Sequence, residues 1–471
     1  MLHVSTRGDA PALGFTDALL AGLARDGGLY LPERWPHLDA ATIAGFAGQP
    51  YAAVAKAVLA PLLDGEIGAA DLSLMVDEAY AGFRHPAVCP LTQVGDNLFV
   101  LELFHGPTLA FKDLAMQLLG RLMDHVLRQR GQRATIVGAT SGDTGSAAVE
   151  AFSGLSQVDV FILFPHGRVS EVQRRQMTSV DAPNVHAIAV EGTFDDCQTA
   201  LKRMFTHQRF RDELQLSGVN SINWARVAAQ VVYYFTAAVA LGSPHRPVSF
   251  AVPTGNFGDV LAGSVAKRMG LPIERLVVAT NANDILHRTL ETGAHELRGV
   301  TPTTSPSMDI QVSSNFERAL FEAYGRDSGA VRALMGSLAQ GEALQVAPEP
   351  LARLREEFAS AAVSEDEVLD EIRATRAGAG YLLDPHTAIG LRAGRAHLQT
   401  RPEVPVVALA TAHPAKFPDA VERATGERPS LPPHLADLLD RPERFTVLPN
   451  DQQALESFVR DRARAVRGAA A

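Results

Sequence analysis

From Phe99 onward, short apolar runs alternate with helical stretches, and this alternation limits what the chain can fold into more than any other feature. Residues 134–139, 158–164, 185–190, 248–252, 276–280 and 404–410 are apolar and of strand length, while 144–152, 171–179, 194–205, 225–241 and 259–269 carry helical spacing. Strands separated by helices pair in parallel, and the helices cover both faces of an open twisted sheet. Residues 1–90 differ: helical patterns at 16–25 and 51–59, with turn chemistry at Asp26-Gly-Gly28 and between Pro32 and Pro36, predict a small, mostly helical leading domain. Residues 325–376 are polar, rich in Ala and Glu, and read as helix throughout. The Ala- and Arg-rich end, 460–471, is expected to fray.

With 471 residues, 46% hydrophobic and 20% charged, the chain can bury a large core and divides into about two or three domains. The 43 basic residues against 53 acidic ones leave a net charge of -10, which argues against a nucleic-acid partner. No apolar run approaches membrane-spanning length and the first residues lack the apolar core of a signal peptide, so a soluble cytoplasmic protein without a membrane partner is expected. Cys89 and Cys197 stand alone, without Cys or His at ligand spacing, and no His-Glu-x-x-His pattern occurs; no metal site is expected.

Chemistry concentrates first in His105-Gly-Pro-Thr-Leu-Ala-Phe-Lys112-Asp113. Residues 98–104 read as a strand, Gly106-Pro107 as a turn, and Leu114, Leu118, Leu119, Leu122, Met123, Val126 and Leu127 as one helix face, so Lys112 marks a strand-to-helix junction. Leu109, Phe111 and Leu114 would hold its amine near apolar surface, where desolvation lowers a lysine pKa and frees an amine able to form a Schiff base with an aldehyde. An ordinary solvated lysine is the competing reading of this segment alone.

Three small-residue loops then follow strands, the place where open α/β sheets put their ligands. In Gly138-Ala-Thr-Ser-Gly-Asp-Thr-Gly145, glycine N–H groups, the hydroxyls of Ser141 and Thr144 and a helix opening at Ser146 suit an anion; a simple cap by Thr144 or Asp143 explains the loop equally well. In Pro253-Thr-Gly-Asn-Phe-Gly-Asp259, the residues Gly255, Asn256, Phe257 and Gly258 offer consecutive N–H groups ahead of a helix starting at Asp259. Neither loop carries a P-loop lysine, so two different anions are implied, one on a cofactor and one on a substrate. In Leu409-Ala-Thr-Ala-His-Pro-Ala-Lys-Phe417, Thr411 is placed either to bond a ring nitrogen or to cap the turn opened by Pro414, while His413 and Lys416 read as packing and surface residues.

These segments together resemble the threonine synthase family. Phe104-His-Gly-Pro-Thr-Leu-Ala-Phe-Lys-Asp113 is similar to its cofactor-lysine segment, and the order continues through Thr140-Ser-Gly-Asp-Thr-Gly-Ser146, Val219-Asn-Ser-Ile-Asn-Trp-Ala-Arg226, Pro253-Thr-Gly-Asn-Phe-Gly-Asp259, Ser305-Pro-Ser-Met-Asp-Ile310, Asp384-Pro-His-Thr-Ala388 and Ala410-Thr-Ala-His-Pro-Ala-Lys-Phe417. Ser5-Thr-Arg-Gly8 and Asp26-Gly-Gly-Leu-Tyr-Leu-Pro32 resemble its short leading domain, and the likeness is to the bacterial and fungal type. No motif carries a substitution that would disturb the chemistry.

The resemblance implies a fold-type II pyridoxal-phosphate enzyme: a tryptophan synthase β-like α/β fold with two domains of open twisted sheets, plus the small N-terminal domain. It implies a domain plan of 1–90, then a catalytic region 91–430 holding a smaller subdomain over 100–240, then a tail and helix over 431–471. It makes Lys112 the catalytic, cofactor-bearing lysine, gives the cofactor phosphate to Gly255, Asn256, Phe257 and Gly258, and sets Thr411 opposite the pyridine nitrogen. Ser141, Asp143 and Thr144 would meet the substrate's carboxylate and neighbouring groups, and Ser221, Asn223 and Arg226 its phosphate. The implied reaction is O-phospho-L-homoserine plus water to L-threonine and phosphate, by a monomer or weak homodimer. Two alternatives stay open: another fold-type II lyase such as a threonine or serine dehydratase or a cysteine synthase, and a threonine-synthase-like metabolite-binding protein.

Overall fold

Continuous apolar runs become strands buried on both faces: in the computed structural model, which describes residues 1–140, 142–341 and 343–467, all eight residues of Val158–Pro165 are buried. In chain order the strands are β1 (His3–Ser5), β2 (Tyr30–Pro32), β3 (Leu91–Gly95), β4 (Leu98–Glu102), β5 (Ala134–Ala139), β6 (Val158–Pro165), β7 (Val185–Glu191), β8 (Leu216–Ser217), β9 (Val248–Pro253), β10 (Ile273–Thr280), β11 (Ala294–His295), β12 (Leu344–Gln345), β13 (Phe358–Ala362), β14 (Val406–Ala410) and β15 (Thr446–Pro449). The chain forms two compact units, one of Met1–Ala18, Leu23–Phe111 and Ser221–Pro429, the other of Leu19–Gly22, Lys112–Asn220 and Ser430–Ala471.

The first unit holds a six-stranded sheet in the order β13-β10-β9-β14-β4-β3, parallel except for β3, which runs antiparallel to β4. Parallel neighbours bring the carboxyl ends of β4, β9, β10 and β14 to one edge, so the loops leaving Glu102, Pro253, Thr280 and Ala410 emerge together. Val100, Ala251, Val277 and Val406 pack with Ile389 and Leu391 of the helix Pro385–Leu398 to form the core on one face. The second unit holds five parallel strands in the order β15-β7-β6-β5-β8. Within it the helix Lys112–Gln129 lies close against the helix Asp143–Phe152, because Gly120 leaves room: a Cβ there would stand 2.6 Å from the Ala151 carbonyl.

The expected strands and helices form, with ends moved by a few residues, and three expectations are corrected. The leading segment is mostly helical as expected, with β1 and β2 added as an antiparallel pair, and the helix expected over 16–25 is Phe15–Ala21. Residues 325–376 are not all helix, since Phe358–Ala362 joins the sheet edge in parallel with β10; pairing overrides the helical preference of its alanines. The helices expected from Ser146 and Asp259 begin at Asp143 and Gly258. The C-terminal end does not fray as far as Arg467. Leu455, Val459 and Ala463 are buried with Val137, Phe161 and Val190, and Arg464 donates from its backbone N–H and its Nε to the buried Asp159 carboxylate at 2.7 and 2.6 Å. Residues 468–471 lie outside the described residues. Cys89 and Cys197 are both buried thiols, and among the described residues no helix is long and apolar enough to cross a membrane.

Candidate active site

The segment leading to the lysine is fixed to the end of β14. Leu103 N–H donates to the Ala410 carbonyl (3.0 Å), Phe111 N–H to Thr411 O (2.9 Å) and His413 N–H to Leu109 O (3.0 Å). Lys416 adds a side chain: its Nζ donates to the Thr108 carbonyl at 2.8 Å. Lys416 is wholly buried, which corrects its reading as a surface residue; a desolvated ammonium needs an acceptor, and the lysine loop supplies one. His413 also has a task, since its Nδ1 accepts from Ala415 N–H and caps the turn Pro414–Lys416. Thr411 is therefore not the cap; the residue is buried, and its hydroxyl meets no partner among the described residues.

Lys112 is the next residue in the chain and the first of its helix. In the second unit its Nζ lies 3.4 Å from Asp143 Oδ2, and the lysine side chain is 11% exposed. A carboxylate joins the apolar neighbours expected of this amine: the two paired helices start side by side, so a carboxylate from one reaches the amine of the other. Gln173 Nε2 holds the second oxygen of Asp143 at 2.9 Å. In the same loop Thr140 Oγ1 accepts from the N–H groups of Gly142 (2.9 Å) and Gly145 (3.1 Å), so Thr140 and not Thr144 or Asp143 caps the turn. Thr144 is half-buried, with neither its N–H nor its hydroxyl paired among the described residues. Ser141 lies outside the described residues.

The loop after β9, in the first unit, is built differently. Its carbonyls are all engaged: Ser313 Oγ donates to Gly255 O (2.6 Å), Asn315 N–H to Asn256 O (3.1 Å) and Leu261 N–H to Phe257 O (3.0 Å). Its N–H groups are not, for among the described residues none of Gly255, Asn256, Phe257 and Gly258 has an acceptor. Gly255 has to be glycine, because a Cβ would stand 2.8 Å from the Ser307 carbonyl. Phe257 adopts φ +62°, rare without glycine, and its buried ring wedged 5.3 Å from both Phe316 and Phe358 secures that conformation. The helix Gly258–Arg268 then begins, adding its positive end to the same row of donors.

The turn 221–226 lies in the same unit. The Ser221 carbonyl accepts from Asn315 Nδ2 at 3.0 Å, and Asn223 Oδ1 caps the helix Trp224–Ala240 through Ala225 N–H at 3.0 Å. Arg226 is not the solvated first-turn residue its position allows. Its side chain is buried, and burial pulls the guanidinium down to about 10. A cation both desolvated and set at the positive end of a helix disfavours itself and favours an anion beside it. Gln173, Asn315 and the capping role of Thr140 are not singled out by the sequence: Thr140 falls inside a recognisable motif, and the other two carry no spacing signal.

Comparison with known proteins accounts for nearly the whole chain. Residues 2–80 match a family described as Threonine synthase N terminus, 87–352 one described as Pyridoxal-phosphate dependent enzyme, and 387–459 one described as Threonine synthase, C-terminal. The threonine synthase of Pseudomonas aeruginosa is 54% identical over 460 residues, 98% of each chain. The PLP-bound threonine synthase structure from Brucella melitensis superposes with a TM-score of 0.97 at 62% identity, covering 98% of this chain and 100% of that one. Yeast threonine synthase follows with a TM-score of 0.93 at 38% identity and 98% of each chain.

Proposed function

This chain belongs to the threonine synthase family of pyridoxal-phosphate-dependent enzymes, and from that membership we propose that it converts O-phospho-L-homoserine and water to L-threonine and phosphate. Its fold is that of the fold-type II enzymes, its class a carbon–oxygen lyase acting on phosphate, and its cofactor pyridoxal 5'-phosphate. The row of N–H groups at Gly255, Asn256, Phe257 and Gly258 is the observation that carries the reading, because it fits a phosphate and has no acceptor among the described residues. That cradle would hold the cofactor phosphate, Lys112 its aldehyde carbon, and the free hydroxyl of Thr411 its ring nitrogen. When bound, the cofactor supplies an electron sink for charge developed at the substrate's Cα.

The protein's own groups then divide the work. Lys112 Nζ takes the proton from Cα and later returns one there, and Asp143 Oδ2, 3.4 Å away, stabilises the ammonium by a charge-assisted bond. Gln173 keeps the Asp143 carboxylate turned toward the amine. Thr144, with Ser141 and Asp143, receives the substrate's carboxylate end. Loss of a proton from Cβ accompanies breaking of the Cγ–O bond. Arg226 holds the substrate phosphate before and after that break, with Ser221 and Asn223 shaping the turn that presents it. Cγ then takes up a proton while water adds its hydroxyl at Cβ. We assign residues 1–90 to the leading domain, 91–430 to the catalytic region with its smaller subdomain over 100–240, and 431–471 to the closing tail and helix. We further place the protein in the cytoplasm, as a monomer or weak homodimer acting on a small molecule without nucleic-acid or membrane partners; its two free buried cysteines and net charge of -10 support this.

Incubation with O-phospho-L-homoserine, followed by phosphate assay and amino-acid analysis, tests the function. Matching yields of phosphate and threonine are expected. Phosphate accompanied by ammonia and a 2-oxo acid would point to a dehydratase, and cofactor bound without any product would point to a binding protein.

A further inference from the structure

We infer that Asn315 is a positioning residue that joins the loop Gly255–Gly258 and the turn Ser221–Asn223 into one body; this rests on the reading of the first as the cofactor-phosphate cradle and the second as part of the substrate-phosphate pocket.

Asn315 is fully buried just ahead of the helix Phe316–Ala323. An amide NH2 has two hydrogens to give. Here Nδ2 donates to the Asn256 carbonyl and to the Ser221 carbonyl, each at 3.0 Å, so one nitrogen spans both loops. The backbone N–H of Asn315 adds a second bond to Asn256 O at 3.1 Å. The oxygen end is fixed as well, because Arg318 Nη1 donates to Asn315 Oδ1. This assigns the amide orientation: flipped, it would set its oxygen against two carbonyls and its NH2 against a guanidinium.

Arg318 extends the joint. Almost wholly buried, it donates from Nε and Nη2 to the Tyr30 carbonyl at 2.9 and 2.7 Å, and from Nη2 to the Ile222 carbonyl at 2.7 Å. The turn 221–222 is thus held at two successive carbonyls, one by Asn315 and one by Arg318, while Asn256 is held twice by Asn315. All four carbonyls and donors belong to one compact unit. A carbonyl held from behind fixes the peptide plane, and the neighbouring N–H groups then point where the cradle needs them. Gly258 sits against the same nitrogen, since a Cβ there would be 3.4 Å from Nδ2. Residues that face only one loop should affect one ligand, whereas removing the Asn315 donors should release both.

Asn315→Asp tests this, because it keeps the shape and the acceptor for Arg318 while replacing the bridging NH2 by an oxygen. Two affinities are measured: pyridoxal phosphate for the apoprotein, by spectroscopic titration, and inorganic phosphate for the cofactor-loaded protein, by calorimetry. Both should weaken by about tenfold or more, the size expected when a buried bonding group is lost. Arg226→Ala, which leaves the Asn315 bonds in place, should weaken only the second. Ile372→Ala, a buried core truncation elsewhere in the same unit, serves as the control for lost stability and should leave both affinities in place. Loss of one affinity alone in Asn315→Asp, no loss of either, or equal losses in Ile372→Ala would overturn the inference. Should Asn315→Asp fail to fold, Arg318→Lys keeps the charge, breaks the fork to Ile222 and Asn315, and is expected to show the same paired loss. A parent protein that bound neither ligand would instead overturn the assignment of the two loops and take this inference with it.

Discussion

Thr140 after β5 and Thr254 after β9 stand at the same place in two glycine-rich loops, and their hydroxyls act in opposite directions. Thr140 Oγ1 accepts from Gly142 and Gly145 N–H, closing the loop on itself. Thr254 Oγ1 donates back to the Val252 carbonyl at 2.6 Å, and the N–H groups of residues 255–258 beyond it have no acceptor among the described residues. The first loop offers mainly side chains to a ligand, Asp143 and Thr144; the second offers a row of backbone donors. A glycine-rich turn between strand and helix can offer its N–H groups to a phosphate only when nothing nearby consumes them.

The largest effect should come from the side-chain loop's partner, Lys112. Lys112→Ala should stay folded, lose the visible absorbance that covalent attachment of the cofactor gives, and lose more than about 10³-fold in turnover of O-phospho-L-homoserine. Cofactor should still bind, more weakly, because the backbone cradle needs no lysine; equilibrium dialysis checks this, and near-normal turnover would remove Lys112 from the chemistry. Gly258→Asp strikes the other loop, adding a side chain and a negative charge to the row of donors. Cofactor affinity should fall by about tenfold to a hundredfold, corresponding to roughly 1.5–3 kcal/mol of charge-assisted bonding. If the cofactor stays and only the substrate constant rises, the two loops have been exchanged. Arg226→Ala should lower kcat/KM for O-phospho-L-homoserine by at least about tenfold and leave slow deamination of phosphate-free amino acids nearly unchanged. Equal losses on both kinds of substrate would make Arg226 a support of the fold.

Much of this could be read from residues, for identifiable reasons. Continuous apolar runs such as Val158–Pro165 and Val248–Pro253 leave few alternatives to buried parallel strands, and both were expected almost to the residue. Phe358–Ala362 was missed because its alanines favour helix and only pairing with β10 makes it a strand. Thr446–Pro449 was missed for a related reason: four residues carry too little pattern, and pairing with β7 decides. In the site, Lys112, the Gly255–Gly258 loop and Thr411 stand in motifs, so the sequence alone puts them forward as candidates. Asn315 is not among them, because its function depends on carbonyls from residues 221 and 256, which no local spacing relates to it. Lys416 differs from its reading as a surface residue because a lysine is normally solvated, whereas this one donates to the Thr108 carbonyl inside the fold.

The smallest predicted effect bears most directly on the contrast between the loops. In apoprotein, amide hydrogen exchange should be slow at Gly142 and Gly145, whose hydrogens are bonded to Thr140 Oγ1, and fast at Asn256 and Phe257, whose hydrogens have no acceptor among the described residues. Thr140→Val keeps the volume and the β-branched shape but removes the acceptor. One neutral hydrogen bond contributes about 1 kcal/mol net, so exchange at the two glycines should quicken by about fivefold. Thr254→Val removes only a donor to a strand carbonyl and should leave exchange at Asn256 and Phe257 as fast as before. Adding pyridoxal phosphate should then slow exchange at Asn256 and Phe257, because a bound phosphate gives those N–H groups their first acceptor. If Asn256 and Phe257 are as protected in the apoprotein as Gly142 and Gly145, their donors already have partners, and the difference between the loops disappears together with the case for a backbone cradle.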